Sequence, residues 1–162
     1  MPAHVTLEPL DEPLLTELLH AAVADADPGE VMPVEGPGTR WNADREADFR
    51  AFHRARALAT APIESTYGIR VDGEVVGAAR LCPLPTTPSA AEAGVWIGRS
   101  HRGAGIGTAV LSGLIERATD EGYAELFVST TADNAAVLRM LTARGIEYTV
   151  DGDAVTARVS CV

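Results

Sequence analysis

The stretch "SHRGAGIGTAVL", Ser100 to Leu111, decides how this chain is read. Gly103, Gly105 and Gly107 alternate behind Arg102, and apolar residues then recur at helical spacing: Val110, Leu111, Leu114, Ile115 and Ala118. Just upstream, "AEAGVWIG" (91–98) reads as a strand. Strand, glycine loop and helix together make an anion-binding arrangement, because the amides at a helix start lack intrahelical partners and the dipole favours negative charge there. The glycines keep side chains out of a phosphate's way, and Arg102 adds a charge-assisted contact. A tight turn that binds nothing is the ordinary alternative.

Two phosphate-binding designs are excluded. A P-loop ends in Lys followed by Ser or Thr, and this chain has no lysine. A dinucleotide fingerprint needs G-x-G-x-x-G, whereas the spacing here is G-x-G-x-G, and too little chain follows for several further βα units.

Working outward, residues 3–8 read as a first strand. Asp11 then caps a helix with the apolar stripe Leu14, Leu15, Leu18, Leu19 and Ala22. "DADPGEVMPVEGPG" (25–38) reads as a loop, followed by a helix from Asp44 to Leu58 that buries Phe49, Phe52 and Leu58. Asp72-Gly73 suits a tight hairpin turn within "STYGIRVDGEVVGAARL". "PLPTTPSA" (83–90) reads as a loop before the 91–98 strand, and the helix after the glycines spans Thr108 to Thr119. "AELFVST" is a further strand, a helix opens at Asp133 or Asn134 and is capped at Gly145, and two strands around Asp151-Gly152 close the chain. The expected order is β-α-α-β-β-β-α-β-α-β-β: a mixed α/β domain with a mostly antiparallel sheet, spanning residues 1–162 as one unit.

Composition agrees with a soluble domain. The 162 residues are 46% hydrophobic, enough for one real core. No apolar run nears the roughly 20 residues of a membrane span, and no signal-peptide pattern opens the chain. Cys82 and Cys161 lack metal spacing and read as ordinary buried thiols, so a cytoplasmic, reduced setting is expected. The formal net charge of −10 opposes nucleic-acid binding. No cluster of His, Cys, Asp and Glu has metal spacing, and no nucleophile elbow surrounds Ser100 or Ser112.

Arg102-Gly103-Ala104-Gly105-Ile106-Gly107 resembles the R/Q-x-x-G-x-G/A signature of the GNAT superfamily of N-acetyltransferases. "AEAGVWIG", "TAVLSGLIERA" and Asn134 followed by "ARGI" (143–146) are similar to that family's core. The resemblance covers residues 65–150 well and the N-terminal third only by element order. It implies acetyl-CoA as the acyl donor. The pyrophosphate would lie on the amides of Gly103, Ala104, Gly105, Ile106, Gly107 and Thr108. The pantetheine arm would run along the strand edge at Val95, Trp96 and Ile97, and the Ile97 amide would polarise the thioester carbonyl. Asn134 matches a residue that contacts the cofactor near its sulfur, although a plain helix N-cap explains it equally well.

Acetyl transfer to an amine needs the free base, and deprotonating an alkyl amine of pKa ~10.4 near neutral pH costs about 4 kcal/mol. Glu92 is the candidate base: it lies five residues before Ile97, and alternation puts Glu92, Gly94 and Trp96 on one face. Trp96 on that face would line the acceptor cavity or simply pack in the core. A solvated strand-end charge is the plain reading of Glu92. Where many relatives carry a tyrosine acid seven residues after the asparagine, this chain has Leu141, and Ser129 stands where others place a glutamate. A thiol of pKa ~8.5 leaves with little help, and Tyr148, Ser129 or a water are the candidates to supply the proton. His53 and His101 read as packing or surface histidines, with a base role as the minority reading.

The expected function is transfer from acetyl-CoA to a primary amine on a small molecule or peptide N-terminus. The acceptor is expected between the 25–42 segment and the final hairpin, where Asp25, Asp27, Glu30 and Glu35 offer negative charge to a cation, although such residues more often serve only a soluble loop. The rival is a GNAT-like module that binds acyl-CoA without turning it over. A homodimer through the C-terminal strands is a further expectation drawn from the resemblance.

Overall fold

The computed structural model describes residues 4–103, 105–132 and 135–161, the side chain of Ala136 excepted. Seven strands form one sheet in the order β1-β2-β3-β4-β5-β7-β6. They are β1 (Val5–Pro9), β2 (Ser65–Val71), β3 (Glu74–Leu84), β4 (Thr87–Ile97), β5 (Glu125–Thr131), β6 (Tyr148–Asp151) and β7 (Ala154–Ser160). Every neighbouring pair is antiparallel except β4 and β5. That exception follows from chain order, since a helix crosses between those two strands. Among the described residues no helix is long and apolar enough to cross a membrane.

Helices cover both faces. α1 (Glu12–Asp25), α2 (Pro28–Val31) and α3 (Ala43–Ala57) pack on one, and α4 (Ile106–Asp120) and α5 (Ala135–Ala143) on the other. The Asp11 carboxylate accepts from the Leu14 amide at 2.9 Å, so the first helix starts where its cap was expected. Its stripe of Leu14, Leu15, Leu18, Leu19 and Ala22 is buried against β3 and α3. Asp72 and Gly73 both take positive φ, 50° and 90°, the mirror-type turn that matches strand twist. At the end of α5 the Ile146 amide reaches back to the Leu141 carbonyl at 2.8 Å, and the Gly145 amide to Thr142 at 3.0 Å.

The element order holds, with differences of detail that bear on the site. Residues 83–90 are hardly a loop: β3 and β4 run on to Leu84 and Thr87, leaving only Pro85-Thr86 as the turn. Pairing with a long neighbour overrides the three prolines of this stretch. The closing turn is Gly152-Asp153, one residue later than expected. The stretch 25–38 contains α2, and the Trp41 indole donates to the Ala26 carbonyl at 2.9 Å, tying the segment back to α1. Asp27-Pro28-Gly29-Glu30 carries the signal for that short helix: an acidic N-cap, proline at the first position and glutamate at the third. On α3, His53 is buried while Phe52 is only half-buried.

Candidate functional site

β4 is where the sheet opens. Its parallel register with β5 runs from Ala90 opposite Glu125 to Ala93 opposite Val128 and goes no further. On its other side β4 stays paired with β3 as far as Ile97. The Gly98 amide donates to the Val76 carbonyl at 2.8 Å, which fixes the alternation. Gly94 and Trp96 therefore turn their backbone groups toward β3, and Val95 and Ile97 turn theirs into the gap on the β5 side. Arg102 confirms the direction, its Nε donating to the Ile97 carbonyl at 2.9 Å across the gap.

A cavity of about 250 Å³ fills this gap, lined by Val95, Ile97, Arg102, Gly107, Ser129 and Val137 among others. Above it lies the glycine loop. Gly103 and Gly105 hold φ of 81° and 78°, a region that residues with a Cβ enter at a cost, so the loop's shape requires glycine there. Gly105 is the N-cap of α4, and the first-turn amides of Ile106, Gly107 and Thr108 face outward from the helix end. At Gly107 the reason for glycine is room: an added Cβ would meet only Ile97 Cδ1, at 3.9 Å, and would project into the cavity. Open space, unpaired strand backbone and helix-end amides fit an elongated ligand with an anionic end. Ala104 and Asn134 lie outside the described residues.

A second cavity, of about 490 Å³, opens on the opposite face of β4. Alternate β4 residues separate the two: Gly94 and Trp96 line this one, Ala93 and Ile97 the other, and Val95 borders both. Val95 is 45% exposed, so the cavities meet around the strand's unpaired edge. The rest of this wall comes from α2, α3 and β3. The expectation that the final hairpin would help form it fails, because β6 and β7 lie beyond β5 in the sheet.

Asp25, Asp27 and Glu30 are already paired within the protein rather than left open to a cation. Asp25 accepts from the Ser100 hydroxyl at 2.6 Å and its amide at 3.1 Å, which holds its carboxyl below the usual range. Asp25 also leaves no room for a side chain at Gly98, where a Cβ would sit 2.4 Å from its Oδ2. Arg99 lies 3.1 Å from both Asp27 and Glu30, and Glu30 also pairs with Arg102. The Arg102 bond is the main cause of Glu30's lowered pKa. These carboxylates fasten α2 to the glycine loop.

The wall of this second cavity carries a charge cluster that the sequence did not announce. The Glu64 side chain is wholly buried between Arg56, at 3.1 Å, and Arg80, at 3.4 Å. His53, 1% exposed, lies beside them, and neither ring nitrogen has a hydrogen-bond partner among the described residues. Burial, the largest influence, pushes its pKa down to about 4 despite the pull of Glu64, so the imidazole is neutral at pH 7. The one available signal was an arginine inside the apolar strand "VVGAARLC".

The remaining candidates are spread out. Glu92 is exposed on the same face as Gly94 and Trp96, two residues below the cavity wall. Tyr148 lies on the edge strand β6, three strands and thus roughly 14 Å or more from β4, and lines neither cavity. Leu141 is fully buried in the core, and Ser129 borders the cleft. Among the described residues no group of His, Cys, Asp and Glu is placed to hold a metal.

Comparison with known proteins sets this geometry in a family. No curated protein matches by sequence. Solved structures of the same fold include Mycobacterium smegmatis RimJ in complex with CoA-disulfide, 20% identical with a TM-score of 0.72 over 99% of this chain and 86% of that one. YncA from Salmonella typhimurium with acetyl-CoA is 18% identical, TM-score 0.62, over 98% and 94%. The spermidine/spermine N-acetyltransferase SpeG from Vibrio cholerae is 12% identical, TM-score 0.67, over 97% and 94%. The model of the acetyltransferase (GNAT) family matches residues 30–146, from α2 to the end of α5, and by that match this chain is a member of the GNAT acetyltransferase family.

Proposed function

We propose that residues 1–162 work as one cytoplasmic N-acetyltransferase that moves an acetyl group from acetyl-CoA directly to a primary amine on a small molecule or peptide N-terminus. The observation that carries this reading is the pair of cavities meeting at Val95 across the unpaired edge of β4. One suits the donor and the other the acceptor. RimJ, solved in complex with CoA-disulfide, and YncA, solved with acetyl-CoA, support the donor assignment.

Acetyl-CoA brings the activated acyl group. In the cleft, the backbone of Val95 and Ile97 would hold its pantetheine arm as an added strand, and the Ile97 amide would stabilise charge developing on the carbonyl oxygen. Gly103, Gly105, Ile106, Gly107 and Thr108 would receive the pyrophosphate, with Ala104 and Asn134 completing the set. Arg102 must then leave Glu30 for a phosphate or bridge the two. On the acceptor side Glu92 would take the amine's proton through water, since it stands exposed beside the cavity rather than in it. Leu141 offers no acid and Tyr148 is remote, so the thiolate would take its proton from the Ser129 hydroxyl at the cleft's border or from solvent.

The reading is tested by following thiol release from acetyl-CoA with a panel of amines. Turnover is expected, and Glu92→Gln should lower kcat by roughly a hundredfold, the low end for a general base. The buried leucine at position 141 favours one second reading, a binding module. That module would bind CoA, release no thiol with any amine and be indifferent to Glu92→Gln.

Substitutions at Gly107 separate site from scaffold. Within a helix alanine is better than glycine by roughly 0.5–1 kcal/mol, and the added methyl clashes with nothing, so the apoprotein should melt slightly higher. CoA affinity should hold within about threefold for alanine, which the last position of the signature accepts, and fall by about tenfold or more for Gly107→Val, whose branched side chain would enter the cleft. Unchanged CoA affinity of Gly107→Val in calorimetry would remove Gly107 from the cradle.

A further inference from the structure

One guanidinium bridges the two cavities. Arg102 lines the cleft on the β5 side, donating from Nε to the Ile97 carbonyl at 2.9 Å and from Nη2 to the Glu30 carboxylate. Ile97 belongs to the free edge of β4, whereas Glu30 belongs to α2 and lines the larger cavity on the other face. With the Arg102 side chain 48% exposed, these polar contacts rather than packing hold it there.

A ligand in the cleft competes for both ends of the bridge. An extended arm along β4 would donate to the Ile97 carbonyl, and an anionic end on the glycine loop would draw the guanidinium itself. The guanidinium is one rigid plane, so turning it from Ile97 toward the loop also takes it off Glu30. Glu30 does not follow. Its Oε1 accepts from Arg99 at 3.1 Å and from the Asp27 amide at 3.3 Å, while Arg102 holds Oε2. Departure of Arg102 therefore uncovers one oxygen of a carboxylate that stays fastened by the other. The local charge changes as well. Asp27 and Glu30 are matched by Arg99 and Arg102, and without Arg102 one negative charge is left over at the rim. Glu30 is the one carboxylate among the described residues lining that cavity, and Arg56 and Arg80 stand on the wall with it. A cation entering there has a single end of the cavity to go to.

We propose that Glu30 receives the ammonium group of the acceptor, and that its ion pair with Arg102 keeps it covered until the donor is bound. Val31, Met32, Phe52 and Trp96 take the apolar remainder of the molecule. CoA thus tightens amine binding, and by reciprocity the amine tightens CoA binding by the same factor. This assignment rests on the acetyltransferase reading and adds a claim about coupling that the reading does not need.

CoA is titrated by calorimetry alone and with saturating isopentylamine, leucinamide or the neutral isopentanol. No acetyl group is present, so nothing turns over. Both amines should tighten CoA by about fivefold or more, and isopentanol should not. Glu30→Gln should abolish that tightening and raise the affinity for CoA alone by about threefold, because nothing then competes for Arg102. In an Arg102→Gln background the same change at Glu30 should leave CoA affinity within about twofold, since the contact is already broken. With acetyl-CoA, Glu30→Gln should raise the amine KM by about tenfold and hold kcat within about threefold. A residue that only fastened α2 would weaken CoA and amine alike. The proposal is overturned if neither amine tightens CoA, if isopentanol matches them, or if Glu30→Gln weakens CoA binding. An equal gain from Glu30→Gln with and without Arg102 overturns it too. Thiol release from amines without coupling would sink it and leave the acetyltransferase reading standing. Coupling that Glu30→Gln removes, without thiol release, would do the reverse.

Discussion

Between pH 7 and pH 5 this protein is expected to lose about 2 kcal/mol of stability, and a His53→Leu variant to lose almost none of it. His53 is 1% exposed, with the rings of Phe49 and Phe52 at 4.6 and 5.2 Å. Burial holds its pKa at about 4, down from an ordinary 6.5, and Arg80 and Arg56 add to the depression while Glu64 opposes it. In the unfolded chain the imidazole takes a proton as pH falls through 6.5; in the folded chain it does so only near 4. The unfolded state binds more protons throughout that window, so the His53 contribution to stability falls with pH and flattens below 4 after a loss of roughly 3 kcal/mol. Glu12, Asp25 and Glu30 are also held low, by Arg54, Ser100 and Arg102 respectively. Their contributions are present above the unfolded carboxylate pKa and disappear only below it, which leaves the upper part of the window to His53. Denaturant melts at pH 7, 6 and 5 on both proteins decide the matter. Parallel pH dependence in wild type and His53→Leu would show that the buried imidazole is not the titrating group.

Gly77→Ala should be the most damaging small substitution in the chain. A Cβ there would sit 2.1 Å from the Trp96 carbonyl oxygen and 3.0 Å from the Ile97 Cα. Both are backbone atoms in the paired strand, so relief requires parting β3 from β4 at the Gly77–Ile97 position. The expected cost exceeds about 4 kcal/mol, a large share of the ~5–15 kcal/mol that holds a domain of this size together. Any protein that does fold should bind CoA poorly, because the displaced residues form the edge of the cleft. Gly29→Ala is the control: nothing lies within 4 Å of its Cβ position, and its melting temperature should stay near that of wild type. A Gly77→Ala protein melting alongside that control would contradict the packing described for this pair of strands.

The glycine loop was legible because its constraint is local. Positive φ at Gly103 and Gly105 and the empty space at Gly107 are properties of three residues and the helix they open. The stripe on α1 and the turn at Asp72-Gly73 were readable for the same reason. The charged wall of the second cavity was not, since Glu64 precedes β2, Arg56 lies in the last turn of α3, Arg80 lies inside β3 and only the fold brings them together. The acidic residues at 25–30 left two readings open for a related reason: composition reports their charge, not that Ser100, Arg99 and Arg102 have already taken it up. Prolines at 83–88 suggested a loop, yet strand pairing across the sheet outweighs their local preference.

On the proposed assignment, the two cavities on opposite faces of β4 also bear on the order of events in turnover. Donor and acceptor would enter from different sides and touch only around Val95, so neither would cover the other's doorway. Both would have to be present together for the amine to reach the thioester, and among the described residues no cysteine lines either cavity to carry the acetyl group in an earlier half-reaction. Steady-state plots should therefore intersect rather than run parallel. CoA as a product should compete with acetyl-CoA yet fail to be overcome by raising the amine.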